Sequence, residues 1–247
     1  MSYQEFKPSP LLSQYIDSYW ISSQGKSSRV LPDGFIDIIF NFGKATPTLP
    51  AWGAGVAGMM TRFRDVSVNQ SSEFIGIRFR SMYFHQWCAI PLHELKNLTI
   101  STNEIMNSWE SHVVDQIYEE KNIQNKLALI EQKLYTSISE SVYTKKHSLI
   151  LSACNAIKSS FTSLSLDKVA QDHNISLRQL ERLFRAQVGV TMKEYQAIIR
   201  FKHTLQNLAD HPNQSLLHLA YDMGYFDHAH LTREINKMAG QPPSQLK

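Results

Sequence analysis

The sequence predicts an α+β protein in two parts: a β-rich N-terminal domain, cupin-like or a small barrel, with trailing helices over 1–140, and an all-α C-terminal domain over 147–247. Three observations carry this. Apolar segments of strand length, punctuated by Pro, Gly and Asn, fill the first third of the chain. From Met82 onward the apolar residues recur at helical spacing. The last third writes one helix-turn-helix pattern twice. Leu166, Val169, Ala170 and Asp172 return 50 residues later as Leu216, Leu219, Ala220 and Asp222, and Leu180, Arg182 and Gly189 return 51 later as Leu231, Arg233 and Gly240.

Composition narrows the classes of function. At 247 residues, 43% hydrophobic and 19% charged, the chain can bury a core in each of two domains. Its longest apolar runs, such as 35–40, fall short of the roughly 20 residues that cross a bilayer. Gln4, Glu5 and Lys7 give no signal-like start, so a cytoplasmic protein is expected. Cys88 and Cys154 have no second Cys or His at ligand spacing; neither a disulfide framework, a metal nor another cofactor is expected. The net charge of +3 is C-terminal in origin. From His147 onward there are 11 Lys and Arg against 8 Asp and Glu, whereas the first 146 residues hold 14 of each, and seven of the ten His lie in the basic part.

Taken in order, the expected strands are 16–21, 35–42, 66–68 and 74–79, after a turn-like start at Pro8 and Pro10. Tyr83, Phe84 and Trp87 fit one helix face; Val113, Val114, Ile117 and Tyr118 fit a second, and Leu127, Ile130 and Leu134 a third. Faces within 113–134 are candidates for self-association or for packing within the monomer. The polar segment 136–146 reads as a linker, and a helix over 148–160 opens the second domain.

In the first repeated unit Leu166, Val169 and Ala170 face inward, and Asn174 sits where the turn approaches the left-handed region. Ser176 and Gln179 form a capping box, so the next helix begins at Leu177. On it Leu177, Leu180, Leu183 and Phe184 share one face, and Arg178, Glu181, Arg182 and Arg185 the opposite one. Arg bonds guanine edges bidentately and Glu accepts from cytosine, which makes the polar face a candidate reading surface rather than only a solvated one. In the second unit Gly224 stands at the turn and Asp227 caps a helix beginning at His228. Leu231, Ile235 and Met238 face inward; His230, Arg233 and Lys237 face out. His228 and His230 diverge by about 200° on a helix, so one zinc ion does not take both. Between the units Thr191 and Glu194 form another capping box, opening a connector helix to residue 208 or 209. At about 1.5 Å per residue it is roughly 27 Å long, near the span of one DNA turn.

With these residues in hand, 148–247 resembles the DNA-binding domain of AraC/XylS-family transcription regulators. Gly224-Tyr225-Phe226, His230-Leu231-Thr232-Arg233 and Gly240-Gln241-Pro242-Pro243 carry the resemblance. It implies base-reading positions at Arg178, Glu181 and Arg182 in the first unit, with Arg185 beside them, and at His228, Ala229, His230 and Arg233 in the second. Ala229 offers only a methyl contact to thymine. Met192 stands where that family commonly has proline, and Leu246 where it has an aromatic residue.

The front domain is similar to sensor domains of an AraC subgroup of unassigned ligand, through Leu31-Pro32-Asp33-Gly34, Asp37-Ile38-Ile39-Phe40 and Gly76-Ile77-Arg78-Phe79-Arg80. Asp33, Asp37, Arg78 and Arg80 are candidates to line an effector pocket. Pro-Asp-Gly is also a turn and Arg78 has acids to pair with, and this structural reading is preferred. A metal-dependent cupin enzyme is disfavoured, since no His precedes His85. No Ser/His/Asp or Cys/His signature supports an enzyme, and the charged outer helix positions speak against a pure protein-interaction module.

The expectation is therefore a bacterial, non-enzymatic regulator that binds promoter DNA in two adjacent major grooves. A homodimer, RNA polymerase and a small effector are its further expected partners. The alternatives for the front domain are oligomerisation or protein interaction alone, or an enzyme-like cupin.

Overall fold

Alternation decides the sheet. In 35–40 the side chains of Ile36, Ile38 and Phe40 point to one side and are buried, whereas Phe35, Asp37 and Ile39 point to the other and are half-buried. The computed structural model describes residues 2–23, 28–66, 73–105, 111–138, 145–162 and 166–246. In it β1 (Ser2–Phe6), β2 (Ile16–Ser23), β4 (Phe35–Asn41), β5 (Ala54–Ala57), β7 (Glu73–Arg80) and β8 (Thr99–Ser101) form a six-stranded antiparallel sheet in the order β1-β2-β7-β4-β5-β8. A two-stranded ribbon, β3 (Ser28–Val30) with β6 (Arg64–Val66), stands apart from it.

One face of the sheet carries the N-terminal core. Helices α1 (Ser81–Phe84), α2 (Thr102–Ile105), α3 (Ser111–Glu119) and α4 (Ile123–Ser137) supply partners for it. Phe79 meets Phe84 and Trp87 with ring centroids 5.0 Å away in each case. Tyr118 of α3 packs edge-on to Phe42 at 4.8 Å, and Tyr19 of β2 donates to Glu131 of α4 at 3.2 Å.

The opposite face is hollow because its floor is small. Gly55, Ala57 and Gly76 project nothing large, and Trp20 fills the space above Gly76, where an added Cβ would fall 1.9 Å from the indole. The β3–β6 ribbon and residues 46–49 line the other side, leaving a cavity of about 420 Å³.

The C-terminal region is helical: α5 (Lys145–Ser159), α6 (Leu166–Asp172), α7 (Leu177–Val188), α8 (Met192–Asp210), α9 (Leu216–Asp222) and α10 (His228–Ala239). The expected starts at Leu177 and His228 are those observed, as are the Ser176 and Asp227 caps. Asn174 does adopt a left-handed conformation, φ 55°.

Several expectations need correcting. The strands β1, β3, β5 and β8 went unrecognised: β3 and β8 are three residues each, and Ala-Gly-Val-Ala of β5 has no clear alternation. The 82–87 helix is a single turn that passes into a 3-10 turn at His85–Trp87. α4 runs through Ser137 and α5 begins at Lys145, which shortens the linker; 139–144 lie outside the described residues, as do 67–68 of the expected 66–68 strand. Ile117, Leu127, Ile130 and Leu134 are buried within the chain, so no self-association seam is available on those side chains. Among the described residues no helix is long and apolar enough to cross a membrane, and no group of three or more His, Cys, Asp and Glu gathers at one point.

Candidate nucleic-acid interface

Two amphipathic helices, α7 and α10, carry the expected surface. α7 buries Leu180, Phe184 and Val188 on the side that packs against α1, the turn at 92–95, α5, α6 and α8, which turns Arg178, Glu181, Arg182 and Arg185 outward. All four are exposed and make no ion pair among the described residues. On α10, Leu231, Ile235 and Met238 are buried, and His228, Ala229, Arg233 and Lys237 are exposed. Each helix ends on a glycine in the left-handed region: Gly189 at φ 96° and Gly240 at φ 71°.

His230 is less free than expected. Its Nδ1 accepts from the Phe226 N–H at 3.3 Å, its ring stands edge-on to Tyr225 at 5.4 Å, and Nε2 lies 3.9 Å from Glu234. The outer face of the second unit also departs from an all-charged surface. Leu217 is 47% exposed, Tyr221 63% and Phe226 85%. α9 has only seven residues and buries one side through Leu219 and Ala220, so Leu217 and Tyr221, four apart, share the outer side.

What fixes α10 in place is a pair of charged residues that the sequence pattern does not single out. Arg200 of α8 bonds Glu234 of α10 through both ends of its guanidinium, Nε to Oε1 at 2.9 Å, with only 13% of either side chain exposed. The same guanidinium lies 4.5 Å over the Tyr225 ring, and the Tyr225 hydroxyl is 3.2 Å from Thr204 Oγ1. Tyr225 of the Gly-Tyr-Phe motif therefore holds the turn to the connector helix. α8 itself opens with a complete capping box: Thr191 Oγ1 accepts from the Glu194 N–H at 3.2 Å, and Glu194 accepts from the Thr191 N–H at 2.9 Å. Met192, at the first helical position where Pro is also tolerated, is buried.

The front region grips both units. Lys96 pairs with Glu194 at 3.0 Å, Arg29 donates to the Ala239 carbonyl at the end of α10 at 3.2 Å, and Phe63 packs against Gly240. Leu92 meets Gly189 at the end of α7. Gly34 of the Leu-Pro-Asp-Gly turn rests on Tyr195, Ile198 and Ile199 of α8. Thr61 shares a shallow groove with Arg233 and Lys237.

Of the four effector candidates, Asp33, Asp37 and Arg78 line the sheet cavity, and Arg80 does not. Arg78 pairs with Asp33 and Asp37, each at 3.4 Å, and with Glu5 at 3.7 Å, as the structural reading expected. Asp33 also accepts from the Phe35 N–H, closing the turn. Arg80 pairs with Asp17 at 3.2 Å in a neighbouring groove that Lys158 and Lys202 share. The cavity residues that the sequence did not single out are chiefly Trp20, whose Nε1 donates to Asp37 at 3.1 Å, and Arg64.

Residues 169–247 match a family described as a helix-turn-helix domain, and 4–101 match a domain of unknown function (DUF6597). The HTH-type transcriptional activator RhaR of Salmonella dublin is 30% identical over 99 residues, which are 40% of this chain and 34% of RhaR; the chain thus spans about a third of that relative's length. Among solved structures, an apo form of ToxT from Vibrio cholerae matches at a TM-score of 0.47 and 13% identity, covering 94% of this chain and 96% of that one. The C-terminal domain of AraT, a response regulator from Geobacillus stearothermophilus, matches at 0.38 and 21%, covering 42% of this chain and 86% of that one.

Proposed function

We propose that this chain, whose C-terminal helices form a helix-turn-helix domain of the AraC/XylS type, is a sequence-specific DNA-binding transcription regulator reading two adjacent major grooves. One observation carries it: α7 and α10 each present exposed arginine on a helix whose opposite face is buried. In this reading Arg178, Glu181, Arg182 and Arg185 enter one groove, and His228, Ala229 and Arg233 the next, with His230 set back against Tyr225 and Glu234. The division of labour follows the sequence expectation, a front domain over 1–140 and a DNA-binding domain over 147–247. Arg182→Ala and Arg233→Ala should each weaken binding to the preferred duplex by about 1–3 kcal/mol and relax base preference. Fluorescence anisotropy with matched and mismatched duplexes measures this, and equal selectivity of parent and variants refutes the assignment.

The name of RhaR makes activation, through RNA polymerase in a bacterial cytoplasm, the direction we carry over. The front domain acts as a non-enzymatic sensor: a cavity lined by Arg29, which also bonds the end of α10, suits control by a small effector better than oligomerisation alone. Comparing the duplex affinity of the full chain with and without a small-molecule extract of cells tests that control. A homodimer, if formed, uses a surface other than the buried side chains of 117–134, and sedimentation of the full chain reads its presence directly.

A further inference from the structure

Three guanidinium groups face the cavity beneath the β3–β6 ribbon, and two of them are neutralised. Arg29 pairs with Asp65 at 2.8 Å, and Arg78 with Asp37 and Asp33. Arg64 has no carboxylate partner among the described residues: it donates to Thr99 Oγ1 and, at 2.7 Å, to the Asn97 carbonyl. A group that cannot shed its proton is thus held half out of water by neutral acceptors alone, an arrangement that is costly until an anion arrives. Burial, and then the nearby Arg62, disfavour its charged form.

Strand register places this charge relative to the rest of the floor. Arg78, Asp37, Ala57 and Thr99 are successive cross-strand neighbours on β7, β4, β5 and β8. At about 4.8 Å per strand, Asp37 and Thr99 are roughly 10 Å apart, with only the Ala57 methyl between them. Beyond Ala57 the wall is apolar and aromatic, through Ile39, Trp20 and Phe74. The volume of about 420 Å³ lies within the usual range for small-molecule sites, about 300–1,000 Å³.

We propose that this cavity binds a small, largely apolar monocarboxylate whose carboxylate docks on Arg64 and whose body lies over Ala57 toward Ile39 and Trp20. Asp33 and Asp37 at the far end repel a second carboxylate, so dicarboxylates of the same length are rejected. The site deepens the effector reading given above and rests on it.

The test uses calorimetric titration of the full chain with octanoate and 2-naphthoate, against 1-octanol, 2-naphthol and the dicarboxylate suberate. At least one monocarboxylate should bind at least about 10-fold more tightly than its alcohol and than suberate. Arg64→Gln should weaken it roughly 10- to 100-fold, the loss of a charge-assisted contact, while Arg64→Lys keeps most of the preference for a carboxylate. Thermal melting checks folding; should Arg64→Gln fail to fold, Thr99→Val, which frees one of the two ties on the guanidinium, should weaken carboxylate binding several-fold.

Equal binding of acid and alcohol, unchanged affinity in Arg64→Gln, or no bound monocarboxylate each overturns the proposal. Duplex affinity measured on the same samples with and without cell extract separates the two claims. An extract effect without carboxylate binding removes the ligand class and keeps effector control. Carboxylate binding with no influence of either ligand or extract on the duplex keeps the site and removes effector control.

Discussion

Asp37 lines the cavity while its carboxylate is held by its neighbours. It accepts from the Trp20 indole and pairs with Arg78, yet burial, reinforced by Asp33, pushes its carboxyl up from 3.8 to about 6 against the pull of Arg78. A carboxyl with a higher pKa folded than unfolded adds stability that is fully present below its unfolded value and is lost as pH rises through the folded one. Relative to Asp37→Asn, the parent should therefore lose stability as pH rises from about 4 to about 7. Urea unfolding of both proteins across that range measures the difference, and a difference that stays flat with pH contradicts it. The sequence shows that Arg78 has acids to pair with, but Asp33, Asp37 and Glu5 reach it only across the strands that the fold brings together. Nor does the sequence single out Arg64, since what marks that residue is a missing partner, and absence of a contact is a property of the folded chain.

At the scale of elements, the helices were the most legible part. Caps and periodicity are local, so Ser176, Thr191 and Asp227 announced their helices correctly, and Leu180 with Phe184 announced the buried face of α7. The ribbon and edge strands were illegible because three-residue strands such as β3, β6 and β8 are defined by pairing across long stretches of sequence rather than by pattern. Likewise, Arg200 and Glu234 each look like ordinary surface charges until α8 and α10 meet. The capping box at the head of α8 offers a clean measurement. Thr191→Ala removes the side-chain acceptor for the Glu194 N–H and should cost about 1 kcal/mol in thermal unfolding. No change in melting temperature would show that the box contributes nothing to the helix that joins the two helix-turn-helix units.

For the whole molecule, the decisive feature is that the front region touches the ends of both α7 and α10: Leu92 at Gly189 behind α7, and Arg29 with Phe63 at the close of α10. β6 joins this seam to the cavity, with Arg64 lining the cavity and the neighbouring Asp65 holding Arg29. Arg29→Ala leaves the Ala239 carbonyl without that donor, so amide exchange over 236–240 should quicken while exchange in α7 stays unchanged. Equal protection in parent and variant would show that the contact does not restrain α10. On DNA, affinity should fall with salt at a slope of about 0.9 per phosphate neutralised; a salt-independent affinity speaks against a phosphate-tracking domain. The most direct test of the central claim is selection of binding sites by the full chain from a random duplex library, repeated with Arg182→Ala and with Arg233→Ala. The account predicts a parental motif of two blocks about one DNA turn apart, with each variant losing preference in a different block. A parental motif with a single block, or variants that both return the parental motif unchanged, would contradict it.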